Sequence, residues 1–393
     1  MDECALIDNF TSCCVEELQG LLCLTMRDGN LFENGADGAR SEARTEVQCS
    51  DCTDCGGCVV HCAFLQEHGT PGQIAKMVES LPPSQWPDPF GCSLCGLCGA
   101  VCPEGVRPEE LFLDMRRTRA QAGGLDLKQY GPVITYEKLG SSRLFSLLRV
   151  PEGGDTVLFP GCALPSTRST TVRRLFQALQ EIIPSVGIAL GCCTKPSHDL
   201  GRTNFFDQQF GGLHARLVSA GVKRVVTACP NCQKIFSAYG GEIEAVTAYS
   251  LLADSGYEPV SAGGGTAIIH DPCPQRYDAA TQDSVRTLTA RCGVSVGKAK
   301  AERKRTQCCG EGGMVKFVRP DFADAWTSKR TAAAAGQRVV TSCAGCTNFL
   351  GATMDVDHVL DLLFDSRSAR AIKPPFTYLA RLRLKAWFKR MLR

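Results

Sequence analysis

Cysteine is the residue through which this sequence can do chemistry: 24 thiols occur in 393 residues. Cys52, Cys55, Cys58 and Cys62 form a C-x2-C-x2-C-x3-C run, and Cys92, Cys95, Cys98 and Cys102 form a second, followed by Pro103. Three thiolates at two-residue intervals can hold three corners of a cubane [4Fe–4S] cluster, while the fourth cysteine of each run ligates the other cluster. The spacing therefore assigns Cys52, Cys55, Cys58 and Cys102 to one cubane and Cys92, Cys95, Cys98 and Cys62 to the other. Zinc is the competing ligand for such thiols, but it takes two well-separated pairs rather than triplets with a trailing fourth. Cys49 extends the first run, yet a frame starting there needs a cysteine where Val59 stands. Ala63 occupies the position after the first run where this motif usually carries proline.

Two more sets share the order C…CC…C-x2-C. They are Cys162, Cys192, Cys193, Cys229 and Cys232, then Cys273, Cys308, Cys309, Cys343 and Cys346. Five gathered thiols bind a soft metal centre. Their spacing leaves its nuclearity open, and a structural zinc or a redox dithiol fits the residues as well. Arg224 to Cys232 (RVVTACPNC) matches Arg338 to Cys346 (RVVTSCAGC), and Leu251 to Ser255 echoes Leu362 to Ser366. Matching cysteines lie 111, 116 and 114 residues apart, which indicates a duplicated domain of about 110 residues.

Elements must bring these thiols together. Short apolar runs (Thr156–Phe159, Val225-Val226, Ala267–Ile269, Val339-Val340) read as buried strands, and stretches such as Thr171–Glu181 read as helices. The cysteines fall just past the strands, where α/β sheets build their sites. The long interval from Cys62 to Cys92 contains a helical stretch (Gln73–Ser80), and another follows at Pro108–Gln121. The expected fold is thus an α-helical two-cluster module, then a duplicated α/β domain, then a basic amphipathic C-terminal helix. Gly-rich breaks at Gly123-Gly124, Gly153-Gly154 and Gly263–Gly265 help to set the boundaries. These are a Cys-containing extension (1–44), the cluster module (45–122), a linker (123–154), two repeats (155–260 and 266–365) and a tail (366–393).

A twin-run cluster module followed by two such repeats resembles the heterodisulfide reductase catalytic subunit. It is also similar to the iron–sulfur subunits of anaerobic glycerol-3-phosphate dehydrogenase and glycolate oxidase, over roughly residues 48–365. His270-Asp271-Pro272-Cys273 and Gln307-Cys308-Cys309-Gly310 look like that family's CCG domain. The resemblance implies that the five-cysteine sets hold noncubane [4Fe–4S] clusters, one or two in number, beside the two cubanes. It implies a subunit of an anaerobic respiratory complex that relays electrons between a flavin-bearing partner and a quinone or thiol/disulfide acceptor. The alternative it implies is an enzyme that splits a small disulfide at the CCG clusters. Thr194 departs from the family, standing where glycine is expected after the first cysteine pair. A β-branched side chain there disfavours a positive φ.

The remaining signals are weaker. Cys4, Cys13, Cys14 and Cys23 form a near-symmetric set that reads as free thiols or a further metal site, and Cys292 reads as core. His198 and His270 lie near cysteine motifs and read as packing residues or as donors to cluster sulfur. Gly310-Glu311-Gly312-Gly313 lacks the G-x-G-x-x-G pattern, so no flavin or nicotinamide site is expected and electrons must pass through a partner. Nine Lys/Arg and no acids fall between Ser366 and Arg393, which leaves 34 basic against 41 acidic residues in the body. That acidic body offers no nucleic-acid footprint. In a helical tail Ala380, Leu384, Trp387, Phe388 and Met391 share one face, a pattern suited to an anionic membrane surface or a membrane subunit. With no secretory leader pattern and so many thiols, the expected location is cytoplasmic, peripheral on the inner membrane face.

Overall fold

The computed structural model describes residues 51–260, 263–366 and 376–392. Cys4, Cys13, Cys14, Cys23 and Cys49 lie outside the described residues. From 51 to 141 the described chain is built of helices and turns alone. Left-handed turns recur at matched places in the two cysteine runs: Asp54 (φ 53°) and Gly56 (φ 74°) after Cys52, and Leu94 (φ 49°) and Gly96 (φ 68°) after Cys92. Such turns gather backbone N–H groups into a concavity suited to an anion. Helix α1 (Ala63–His68) starts directly after Cys62. Helix α2 (Pro71–Ser80) is capped by Thr70, whose side chain accepts from the Gln73 N–H while the Gln73 side chain returns the bond. Helix α3 (Leu97–Val101) lies within the second run and carries Cys98, and α4 (Pro108–Gln121) follows it. Phe64, Leu65, Ile74, Phe112 and Met115 form the small core beneath them.

The segment expected to be a linker, 123–154, is structured. It contains α5 (Gly131–Ser141) and β1 (Leu147–Arg149), which pairs antiparallel with β3 (Gly187–Leu190) at the sheet edge. Three residues are too few for a strand periodicity to register in the sequence. The first repeat continues with β2 (Thr156–Phe159), α6 (Ala163–Thr167), α7 (Ser169–Ile182), β3, α8 (Lys195–Asp199) and α9 (Thr203–Ser219). It ends with β4 (Arg224–Thr227), α10 (Pro230–Tyr239), β5 (Glu244–Thr247) and α11 (Ala248–Asp254). The second comprises β6 (Thr266–His270), α12 (Ala279–Arg291), β7 (Ser295–Gly297), α13 (Pro320–Ala334), β8 (Val339–Thr341), α14 (Ala344–Leu350), β9 (Val356–His358) and α15 (Val359–Leu363).

The strand orders are β1-β3-β2-β4-β5 and β7-β6-β8-β9. Apart from β1 they are the same order, all parallel, as a duplication requires. Val157 pairs with Val225 and Ile269 with Val340, and all four are buried, as parallel strands covered on both faces must be. One apolar core runs through both repeats, joining Leu158, Phe176 and Val226 to Ile269, Leu288 and Val340. Cys292 lies in that core, fully buried. Across the same junction Arg168 donates to Asp361 at 2.7 Å, both side chains 4% exposed.

Helix α16 (Phe376–Met391) lies in the expected tail. The helix forms, but Leu384 and Phe388 are fully buried in the shared core, with Phe388 packed edge-on against Phe176 of α7. Leu384 and Phe388 of that face are therefore spent within the chain, while Met391 on the same face stays exposed. An amphipathic pattern specifies that a face will be covered, not by what.

Candidate metal centres

The two cysteine runs close around two concavities. One, of about 380 Å³, is lined by Cys52, Cys55, Cys58 and Cys102, with Cys98 at its wall. The other, of about 370 Å³, is lined by Cys62, Cys92, Cys95 and Cys98, with Cys58 at its wall. Each thus gathers three cysteines of one run and the last two of the other. Burial pushes the Cys58, Cys62 and Cys95 thiols up to about 11 and Cys92 further. Thiols this reluctant to ionise alone are deprotonated by a bound cation, so the donor set fits iron–sulfur clusters.

Each five-cysteine set assembles at the C-terminal ends of its parallel strands. Cys162 and Cys273 follow β2 and β6, the pairs Cys192-Cys193 and Cys308-Cys309 follow β3 and β7, and Cys229 and Cys343 cap α10 and α14. The Cys232 and Cys193 sulfurs are 3.4 Å apart, and those of Cys346 and Cys309 are 3.3 Å apart. Cys162 is drawn down to about 7 by a hydrogen bond from Cys192, with help from the Arg381 cation. Hydrogen bonds from Cys308 and Cys346 bring Cys309 to about 7. Each set thus holds one pair of soft donors in contact, and its five thiols are the donor type that suits a polynuclear iron–sulfur centre.

The structure also joins the sites to one another. Cys95 and Cys62 pack with Cys273, Cys308 and Trp326 in one cluster. Arg276, three residues past Cys273, donates to the Cys95 carbonyl at 2.9 Å. The Tyr249 hydroxyl lies 2.9 Å from the Ala228 carbonyl and 2.7 Å from the Ser342 carbonyl, the residues just before Cys229 and Cys343. Arg116, fully buried, donates to the carbonyls of Pro89, Phe90, Cys92, Asp199 and Gly313, locking the helical module onto both repeats.

Of the histidines, His198 is engaged at both nitrogens, by Asp199 and by the Tyr239 hydroxyl, each at 2.9 Å. His270 is fully buried with neither nitrogen bonded, and a nitrogen lies within 4.8 Å of the Cys309 and Cys346 sulfurs. Sequence reasoning passed over Glu311. Its carboxylate occupies the space a side chain at Gly345 would need, between Cys343 and Cys346. Crowding by protein, then the negative character of Cys229 and Cys162, pushes it up to about 7. Glu311 is crowded by protein atoms yet still open to water. Its only sequence signal is its place directly after Cys308-Cys309-Gly310. Arg381 and Tyr249 gave none.

Residues 48–106 match the 4Fe-4S dicluster domain, and residues 156–237 and 267–351 each match the cysteine-rich domain known as CCG. The chain thus joins a 4Fe-4S dicluster domain to two cysteine-rich domains, and its relatives are oxidoreductases or components of them. Among its relatives is one polypeptide of the dihydromethanophenazine:CoB–CoM heterodisulfide reductase of Methanosarcina mazei. That protein is 23% identical over 354 residues, 76% of this chain and 87% of the relative. A component of the fumarate reductase (CoM/CoB) of Methanothermobacter marburgensis is 24% identical over 61% of this chain. The EtfAB:quinone oxidoreductase of Syntrophomonas wolfei is 22% identical over 67% of it. The match spans only 52% and 36% of those two relatives. No helix among the described residues is long and apolar enough to cross a membrane.

Proposed function

We propose that this chain is the electron-transfer subunit of a respiratory oxidoreductase complex. It would relay single electrons between a flavin-bearing partner and a terminal quinone or thiol/disulfide acceptor. The observation that carries this reading is the pair of cysteine-lined concavities, which supports the crossed assignment of Cys52, Cys55, Cys58 and Cys102 to one cubane and Cys92, Cys95, Cys98 and Cys62 to the other. Cys162, Cys192, Cys193, Cys229 and Cys232 would hold one noncubane cluster, and Cys273, Cys308, Cys309, Cys343 and Cys346 the second. Such clusters accept and release one electron at a time, at potentials set by charge, hydrogen bonding and exposure. The protein's part is to hold the sites close. The packing of Cys95 and Cys62 against Cys273 and Cys308 supports a route from the helical module into the second repeat, and Tyr249 bridges that repeat to the first.

A second reading, reduction of a small disulfide at the CCG sites, is favoured by the completeness of both five-cysteine sets and by the heterodisulfide reductase relative. Iron and sulfide analysis with EPR of anaerobically purified protein tests both. About sixteen irons per chain is expected, four per cluster; about eight, with cubane signals only, overturns the CCG assignment. Disulfide reduction by the isolated loaded chain with a viologen donor selects the second reading, and its absence the first.

A further inference from the structure

Leu384 and Phe388 of α16 are buried in the core, and the helix also carries a buried cation. Arg381 is 4% exposed. Its guanidinium lies over the rings of Tyr136 and Phe145, 5.4 and 5.2 Å from their centroids. One nitrogen, Nη2, makes a long 3.4 Å bond to the Gly140 carbonyl, while Nη1 is buried without a partner. Among the described residues no carboxylate pairs with it. What the cation faces is the first cysteine set. A Cβ built on Gly140 would lie 3.4 Å from both terminal nitrogens of Arg381 and 3.3 Å from the Cys192 Cβ, so only the width of a glycine separates charge from ligand. The Tyr136 ring beneath it sends its hydroxyl to the Cys162 carbonyl at 2.8 Å. A buried, unpaired guanidinium is costly, and it is retained only where something negative offsets it.

We propose that Arg381 sets the reduction potential of the centre held by Cys162, Cys192, Cys193, Cys229 and Cys232, making that centre easier to reduce than it would otherwise be. Reduction adds one negative charge to a site, and a fixed cation at close range in a poorly solvated interior favours the more negative state. Guanidinium suits the role, being a permanent cation that keeps unused donors in a fixed plane. Arg381 acts through the cysteines and is a positioning residue. The inference rests on the reading that the first set holds an iron–sulfur centre.

The test is an EPR-monitored redox titration of the full, cluster-loaded chain, the first-set signal being the one that Cys193→Ser abolishes. Arg381→Gln is expected to shift the reduced-to-oxidised ratio of that signal at least tenfold toward oxidised, a fall of about 59 mV for a one-electron couple. Arg381→Lys is expected to stay within threefold of the wild type, and the other signals to stay unchanged in both variants. If Arg381→Gln does not fold, Arg381→Met, whose apolar stem keeps the contacts with Tyr136 and Phe145, carries the same expectation. A neutral variant within threefold of wild type overturns the inference while leaving the cluster assignment standing. A lysine variant displaced as far as the neutral one overturns it too, by assigning the effect to packing. If Cys193→Ser abolishes no signal, the cluster assignment falls and the inference with it.

Discussion

The two cysteine-rich repeats share a strand order and five cysteines, and they part just after the cysteine pair. In the second repeat Gly310 adopts φ 102°, and a Cβ there would sit 2.6 Å from Thr327 Oγ1 and 2.7 Å from both the Ala323 carbonyl and the Phe349 ring. In the first, Thr194 adopts φ 57°, fully buried, with its hydroxyl unbonded. Both therefore make a left-handed turn, but for different reasons. The turn after Cys193 needs only the conformation, which a threonine can adopt at roughly 1–2 kcal/mol. The turn after Cys309 needs the absence of a side chain, because α13 and α14 close over it. The comparison shows how one motif can relax in one copy and stay strict in the other, by what packs on it.

Three experiments press on that comparison. The largest effect is expected where the copies are joined. Asp361→Ala strands Arg168 in the interior and should lower unfolding stability by about 3–5 kcal/mol. Because one apolar core spans the repeats, wild-type protein should unfold in one transition, read by thermal melting of the anaerobic holoprotein. Separate melting of the repeats in wild type would refute the shared core. Next comes the glycine position itself. Gly310→Ala should cost about 2–3 kcal/mol and lose iron from the second set, since backbone oxygen cannot yield to the new methyl. Thr194→Gly should move stability by less than about 1 kcal/mol, strain relief being offset by glycine's greater entropy. Equal effects of the two substitutions would erase the distinction.

Much of this was legible in the sequence because it is local. Two- and three-residue cysteine spacings fold into turns over a few residues, and the repeat reported its own strands twice, as in Val225-Val226 against Val339-Val340. What escaped was long-range or small. Strand β1 is three residues inside a stretch read as linker, and it finds its place only against β3. Arg381 meets Gly140, 241 positions away, through packing that no spacing rule contains. The tail's amphipathic pattern was readable, but not that its Leu384 and Phe388 would pack into the core shared by the repeats. Arg116 drew no attention because five carbonyl acceptors from three regions have no sequence signature.

The smallest expected effect probes the last turn of the second repeat. His358 caps α15, its Nδ1 accepting from the Leu360 N–H at 3.2 Å, and it is fully buried. Burial, then the nearby Arg168 cation, holds its imidazole well below 6.5, while in the unfolded chain it titrates near that value. Above pH 6.5 neither state carries the extra proton, and His358 makes stability no steeper. As pH falls through 6.5 the unfolded chain takes up a proton that the folded one refuses, so stability declines, by at most about 1.4 kcal/mol per pH unit. In a His358→Asn variant the new amide oxygen can still accept the Leu360 N–H, but the side chain cannot titrate. The drop in stability between pH 7.5 and 6.0 should therefore be smaller in the variant than in wild type, read as the difference in urea midpoints. Equal drops would mean that the folded state admits the proton, and that the packing of the second repeat around α15 is looser than the buried ring implies.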